Sequence, residues 1–228
     1  MKTLDLITQQ AVRMIFQPVF ALDSNTVIGH EALARGPNKE RPQDMLHESK
    51  RIGLLREFEL QCIQKAVADA PEGMLFVNVQ PMTLLYLLKK LDPLPATEQI
   101  VFEIVEAEDL PCSYKKEFVR YVNRLKSKGY KVAIDDISSG FNRLELVHLL
   151  VPDFIKIDAP LTMGDFHSRV VLKSVVTMAK ELNIKTIAEG IETHKQLSLV
   201  KNLGVEYGQG FFLGKSLSLN HLPDASVL

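Results

Sequence analysis

The stretch Lys131-Val132-Ala133-Ile134-Asp135-Asp136 decides how this chain is read: a short apolar run that ends in two carboxylates. Val, Ala and Ile in succession, without a polar stripe, describe a strand covered on both faces. The carboxylate pair that follows belongs at the rim of a core rather than inside it. The same arrangement recurs along the chain. Glu31 closes TVIGHE, Asn78 closes MLFVN, Glu103 closes IVFE, Glu189 closes IKTIAE, Gln209 follows VEYG, and Lys156 stands late in the run FIK. A single Glu at a strand end is more often a solvated rim residue, and taken alone it carries no message. Repeated strand after strand, such endings build a ring of oxygen ligands on one face of a sheet or barrel. Oxygen-rich clusters of this kind suit hard cations such as Mg²⁺ or Mn²⁺.

Outward from these endings, short β-type runs alternate with longer helical patterns. The strand candidates are IFQPVFAL, TVIGHEAL, MLFVN, IVFEIV, KVAID, FIKI, KTIAE and a weaker VEYGQGFFL. Between them lie helical stretches such as LREFELQCIQKAVADA, YKKEFVRYVNRLKSKG, SRVVLKSVVTMAKELN and THKQLSLVKNLG. In the third, Val170, Val171, Val175, Met178, Ala179 and Leu182 read as a buried helical stripe. Gly129, Asn183 and Gly204 stand where C-terminal caps are expected. Strand and helix in alternation imply an α/β fold with parallel pairing and right-handed crossovers. About eight strand candidates fit a closed (β/α)₈ TIM-like barrel better than an open sheet, and the first two, joined across Asp23-Ser24-Asn25, can pair antiparallel instead. Such barrels carry their chemistry at the C-terminal ends of the strands, where these polar residues fall.

Composition narrows the function classes. A chain of 228 residues with 46% hydrophobic content can bury a full core, and one domain over 1–228 is expected, since no low-complexity segment or long linker interrupts it. A net charge of −1 offers no bulk attraction to long nucleic acid, so a small anionic ligand would need local positive charge or metal ions. Cys62 and Cys112 lack metal-type spacing and read as small hydrophobes in a reducing interior. No uninterrupted apolar window of membrane-spanning length and no signal peptide is visible, so a cytoplasmic location away from membranes is expected. The six histidines show no metal spacing, and Ser138 and Ser139 have no convincing His partner, which disfavours a serine nucleophile.

Glu31-Ala32-Leu33-Ala34-Arg35 resembles the E-A-L-x-R motif of the EAL-domain cyclic-di-GMP phosphodiesterases, and the resemblance continues in order along the chain. It runs through FQP at Phe16 to Pro18, VN at Val77-Asn78, EIVE from Glu103 to Glu106, AIDD from Ala133 to Asp136, PDFIKID from Pro152 to Asp158, AEGIE from Ala188 to Glu192, and GQGFF from Gly208 to Phe212. Three residues alone would mean nothing; these motifs in order, over roughly Phe16 to Leu217, are specific. The resemblance implies hydrolysis of cyclic di-GMP to linear pGpG with two divalent metal ions, Mg²⁺ or Mn²⁺. It implies one ion held by Glu31, Asn78, Glu103 and Asp135, and a second bridged by Asp135 and held by Asp136 and Glu189. Lys156 matches the lysine beside the attacking water and, with Glu31 and Glu189, forms the expected catalytic set. Arg35 matches a phosphate contact, Gln17, Leu33 and Gln209 match substrate-facing positions, and Glu106 and Glu192 match carboxylates that hold the loop after the paired aspartates. A homodimer is compatible with the family pattern.

The chain departs from that pattern where the family usually reads DDFGTGYSSL and this sequence reads DDISSGFNRL, Asp135 to Leu144. If position 138 requires a left-handed backbone, Ser in place of Gly costs on the order of 1 kcal/mol and loosens the second metal. Gln80 and Ala159 also differ from the common residues. With fewer than 20 residues ahead of Phe16, no cyclase or sensor segment fits there, and a stand-alone domain is expected. Two other readings stand beside the phosphodiesterase: an EAL-like protein, weak or inactive, that binds the dinucleotide or a protein partner as a regulator, and an unrelated metal-dependent barrel lyase. The complete ligand set argues against the first, and the ordered motifs against the second.

Overall fold

The computed structural model describes residues 12–36, 40–90, 99–105, 112–138 and 143–215. In chain order the elements are β1 (Arg13–Ala21), β2 (Thr26–Arg35), α1 (Pro42–Arg51), α2 (Leu55–Ala68), β3 (Met74–Val79), α3 (Pro81–Lys90), β4 (Ile100–Ile104) and α4 (Cys112–Ser127). They continue with β5 (Lys131–Ile134), α5 (Arg143–Leu150), β6 (Phe154–Ile157), α6 (Ala159–Thr162), α7 (Phe166–Glu181), β7 (Lys185–Ala188), α8 (His194–Leu203) and β8 (Tyr207–Gly208). The strands close into a barrel in sequence order, β1 to β8. Pairs from β2–β3 through β7–β8 are parallel, whereas β1 is antiparallel to both neighbours. The barrel and its reversed first strand were both legible in the alternation of short apolar runs and helical stretches. The reversal follows from the tight β1–β2 turn, in which Asn25 takes a left-handed φ of 56° and its N–H bonds the Ala21 carbonyl at 2.9 Å.

Two apolar shells surround the strands. Val19, Phe76, Val101, Ala133, Phe154 and Ile187 fill the barrel interior, with the Phe76 and Phe154 rings meeting edge-on at 5.5 Å. The outward-facing residues pack instead under the helices, as Phe16, Val77, Phe102, Val132 and Ile155 do. Gly29 permits the barrel to close at β2–β3, because a Cβ there would stand 2.1 Å from the Met74 carbonyl oxygen. The expected caps are present: Gly129, Asn183 and Gly204 have φ of 91°, 56° and 88°, ending their helices in the left-handed region.

Two readings need correction. In α7 Ala179 is buried and Val175 and Met178 pack partly buried against the core as expected, but Leu172 and Val176 complete the stripe, while Val170, Val171 and Leu182 are exposed. The helix starts earlier than the pattern suggested, capped by the Asp165 carboxylate on the His167 and Ser168 N–H groups. The last strand is only Tyr207–Gly208; Phe211 and Phe212 lie in a turn, largely exposed. Among the described residues no helix is long and apolar enough to cross a membrane.

Candidate functional site

A period of two places the polar residues. Two positions beyond Phe76, Val101, Ala133, Phe154 and Ile187, towards the C-terminal mouth, stand Asn78, Glu103, Asp135, Lys156 and Glu189. Gln209 follows Tyr207 and Glu31 follows Gly29 by the same step, and on the reversed β1 the position above Val19 is Gln17, directly across from Glu31. Every one of these strands thus turns an apolar or small residue inward and then a polar one. Glu31 does not end its strand, as the sequence suggested. β2 runs on to Arg35, and Glu31 lies near the level where pairing with β3 stops, at Ala32–Val77.

The ring closes on Lys156, which is 1% exposed. Its Nζ lies 2.7 Å from Glu189, 3.1 Å from Glu103, 3.2 Å from Glu31 and 3.4 Å from Asp135. Asn78 Nδ2 donates to Glu31 Oε1 at 3.0 Å, and Gln209 Nε2 donates to Glu31 Oε2 at 2.6 Å and to Glu189 Oε1 at 3.1 Å. Gly210 makes the last contact reachable, because the Ile191 backbone would stand 2.2 Å from any Cβ at that position. One ammonium thus faces more carboxylates than it can neutralise. Burial pulls Lys156 down, but Glu103, Glu189, Glu31 and Asp135 outweigh it and hold the ammonium protonated well above its usual range. Burial pushes Glu31 up, yet Lys156 and the two amides outweigh that and keep it ionised. Burial, against Lys156, lifts Glu103 well above the carboxylate range and Glu189 to about 8. Asp136 rises to about 6 through burial and then the neighbouring Asp135 and Asp158.

These carboxylates are not all satisfied. Glu103 Oε1 is buried and accepts no hydrogen bond, Asp135 Oδ1 is buried with the Lys156 ammonium at 3.4 Å but no hydrogen bond, and one oxygen from each of Asp135, Asp136 and Glu189 falls within 4.8 Å of the others. Such a donor set fits a hard divalent cation. Asp136 reaches this position with φ of 49°. Among the described residues of this segment the left-handed one is therefore Asp136 and not Ser138, so the strain expected at Ser138 is absent. Ser138 instead donates from both its N–H, at 3.2 Å, and its hydroxyl to the Asp158 carboxylate.

Above the ring opens a cavity of about 500 Å³ lined among others by Gln17, Glu31, Leu33, Asp136, Glu189 and Gln209, with Glu192 exposed at its edge. Its size is that of a small-molecule site. Asn78, Glu103, Asp135 and Lys156 do not line it but meet the lining residues Glu31 and Glu189 or each other, and Arg35, two residues beyond Leu33 on β2, donates from Nη1 to the Ala34 carbonyl at 2.7 Å. Asp158, Pro160 and Phe211 line the cavity without having been singled out in the sequence, although Asp158 follows Lys156 by the same two-residue step. Glu106 lies outside the described residues.

A barrel with an oxygen-ligand ring at its C-terminal mouth is the architecture of a metal-dependent (β/α)₈ site. The EAL domain profile matches residues 2–216, and the chain belongs to that family. The probable cyclic di-GMP phosphodiesterase PdeB of Escherichia coli (strain K12) is 27% identical over 233 residues, 93% of this chain and 44% of that protein. The chain therefore spans less than half the length of that curated relative. Among solved structures, the manganese/cy-diGMP complex of Klebsiella pneumoniae BlrP1 at pH 9.0 superposes with a TM-score of 0.75 at 27% identity, over 92% of this chain and 56% of that one. The c-di-GMP bound form of a standalone versatile EAL protein from Vibrio cholerae O395 superposes with a TM-score of 0.72 at 28% identity, over 90% of this chain and 92% of that one.

Proposed function

We propose that this chain, as a single EAL-type domain, hydrolyses cyclic di-GMP to linear pGpG. The observation that carries the reading is the convergence of Glu31, Glu103, Asp135 and Glu189 on Lys156, with Asn78 bonded to Glu31 and Asp136 alongside, at a cavity of about 500 Å³. Glu31, Asn78, Glu103 and Asp135 would hold one divalent cation, Mg²⁺ or Mn²⁺, and Asp135, Asp136 and Glu189 a second. Such a pair supplies charge neutralisation on the phosphodiester and a hydroxide at neutral pH.

The remaining work falls to the chain's own groups. Lys156, held protonated by its carboxylate neighbours, acts as a cation and hydrogen-bond donor rather than as a base. It orients the attacking water and stabilises charge that builds on the phosphoryl oxygens. Gln209 fixes Glu31 and Glu189 relative to one another by donating to both. Arg35 offers a guanidinium to phosphate oxygens, and Gln17 and Leu33 shape the wall that orients the nucleotide. Ser138 and Asp158 brace the segment that carries Asp136. The test is incubation of the purified protein with cyclic di-GMP and Mg²⁺ or Mn²⁺, with products resolved by chromatography. A pGpG product that vanishes with chelator supports the reading. Tight ligand binding without product would make the barrel a receptor instead.

A further inference from the structure

The β1–β2 hairpin is longer than the barrel it belongs to. Pairing of β1 with β8 involves only Phe20 and Ala21, and β2 pairs with β3 no further than Ala32. Above that level the two strands pair only with each other, Gln17 across from Glu31, Ile15 from Leu33 and Arg13 from Arg35. They form a two-stranded ribbon standing over the mouth. Its register irregularity lies below, between Val19 and Phe20, so the alternation of faces is unbroken from Arg13 to Gln17. Met14 and Phe16 are buried in the outer core, on the opposite face. Arg13, Ile15, Gln17, Glu31, Leu33 and Arg35 therefore share the inner face, of which Gln17, Glu31 and Leu33 line the cavity.

Two arginines consequently stand directly opposite each other at the top of this wall. Like charges at opposed positions of an antiparallel pair repel. Among the described residues Arg13 is exposed without an ion pair or hydrogen bond, while Arg35 donates one N–H to the Ala34 carbonyl and is attracted by the Glu31 carboxylate, which offsets the repulsion from one side only. An anion between them would relieve it. The rest of the cavity offers an anion no such partner, since Glu31, Asp136, Asp158, Glu189 and Glu192 all line it, so a phosphate held away from the carboxylate ring would find its positive charge at this arginine pair. Four residues of strand, about 13 Å, separate Glu31 from Arg35, and long flexible arginine stems reach back over part of that distance. A cyclic dinucleotide with one phosphate at the carboxylate ring carries a second phosphate away from it.

We propose that Arg13, opposite Arg35, clamps the phosphate of the cyclic dinucleotide that is not cleaved. Arg13 falls within the family profile's span of residues 2–216 but belongs to none of the motifs that carry the resemblance, the first of which starts at Phe16. The proposal rests on the phosphodiesterase reading. It is tested by measuring kcat/KM for cyclic di-GMP against ionic strength in the wild-type chain, Arg13→Ala and Arg13→Lys. Removing Arg13 should lower kcat/KM roughly tenfold through KM and flatten its salt dependence, because a screened charge contact is gone. Lysine should recover part of both. An Arg13→Ala variant with wild-type kcat/KM, or a raised KM with an unchanged salt dependence, overturns the clamp alone. Absence of hydrolysis in the wild-type chain overturns the clamp together with the reading it rests on.

Discussion

The barrel interior holds two layers built by the same strands and set only two residues apart. The lower, Val19, Phe76, Val101, Ala133, Phe154 and Ile187, is apolar and closes the barrel floor. The upper, Gln17, Glu31, Asn78, Glu103, Asp135, Lys156, Glu189 and Gln209, is polar and almost as deeply buried at Glu103, at 0% exposure, and Lys156, at 1%. The lower layer gains from every atom it removes from water. The upper layer loses by it: burial raises Glu103, Glu189 and Asp136, and one lysine serves four carboxylates. The difference teaches that stability and chemistry are separated by a single pleat of the strand. Groups costly to bury are supported by a floor that is not.

Breaking the upper layer should give the largest effect. Glu31→Ala is expected to lower turnover of cyclic di-GMP by roughly a thousandfold or more with little change in thermal unfolding, because Glu31 contributes charge rather than packing. Assay and melting curve on the same preparation check this, and retained hydrolysis would remove Glu31 from the mechanism. The converse change, Phe76→Ala in the lower layer, should cost about 3–5 kcal/mol in denaturant unfolding while molecules that remain folded still bind Mn²⁺. Unchanged unfolding would mean the floor does not carry the fold.

Titration sharpens the contrast on a smaller scale. Glu189 sits at about 8 and Asp136 at about 6, above the ordinary 4.5 and 3.8. Between pH 5.5 and 8.5 the folded chain therefore holds more protons than the unfolded one, and stability in chelator falls as pH rises. Metal ligands must be deprotonated, so Mn²⁺ affinity should rise over the same window. Greater stability at pH 8.5 than at 5.5 in chelator would contradict this. The smallest effect is expected at Ser138→Gly, which removes the hydroxyl bound to Asp158 and should cost about 1 kcal/mol with a modest loss of Mn²⁺ affinity. A gain on Ser138→Gly in the same titration would restore the strain explanation that the backbone of Asp136 displaced.

How much of this was legible in the sequence depends on which interactions set each feature. The strands were visible because both faces of FIKI or KVAI are covered, so the apolar run survives without alternation. The polar ring was visible because each member directly ends or follows such a run. The last strand was read too long since Gly208-Gln209-Gly210 turns the chain before Phe211, a break that composition does not show. In α7 the exposed Val170 and Val171 mimic a core stripe, and only packing distinguishes them from Leu172 and Val176. Asp158 and the facing of Arg13 on Arg35 depend on cross-strand register and loop contacts, which spacing along the chain does not encode.

The central claim is that the upper layer is a two-cation site. It is tested most directly by counting bound Mn²⁺ by electron paramagnetic resonance, in the presence of cyclic di-GMP, for the wild-type chain and Asp135→Ala. The account predicts two ions per chain in the wild type, and loss of tight binding at both positions when the shared Asp135 is removed. One ion or none in the wild type, or two ions undisturbed in Asp135→Ala, would contradict it.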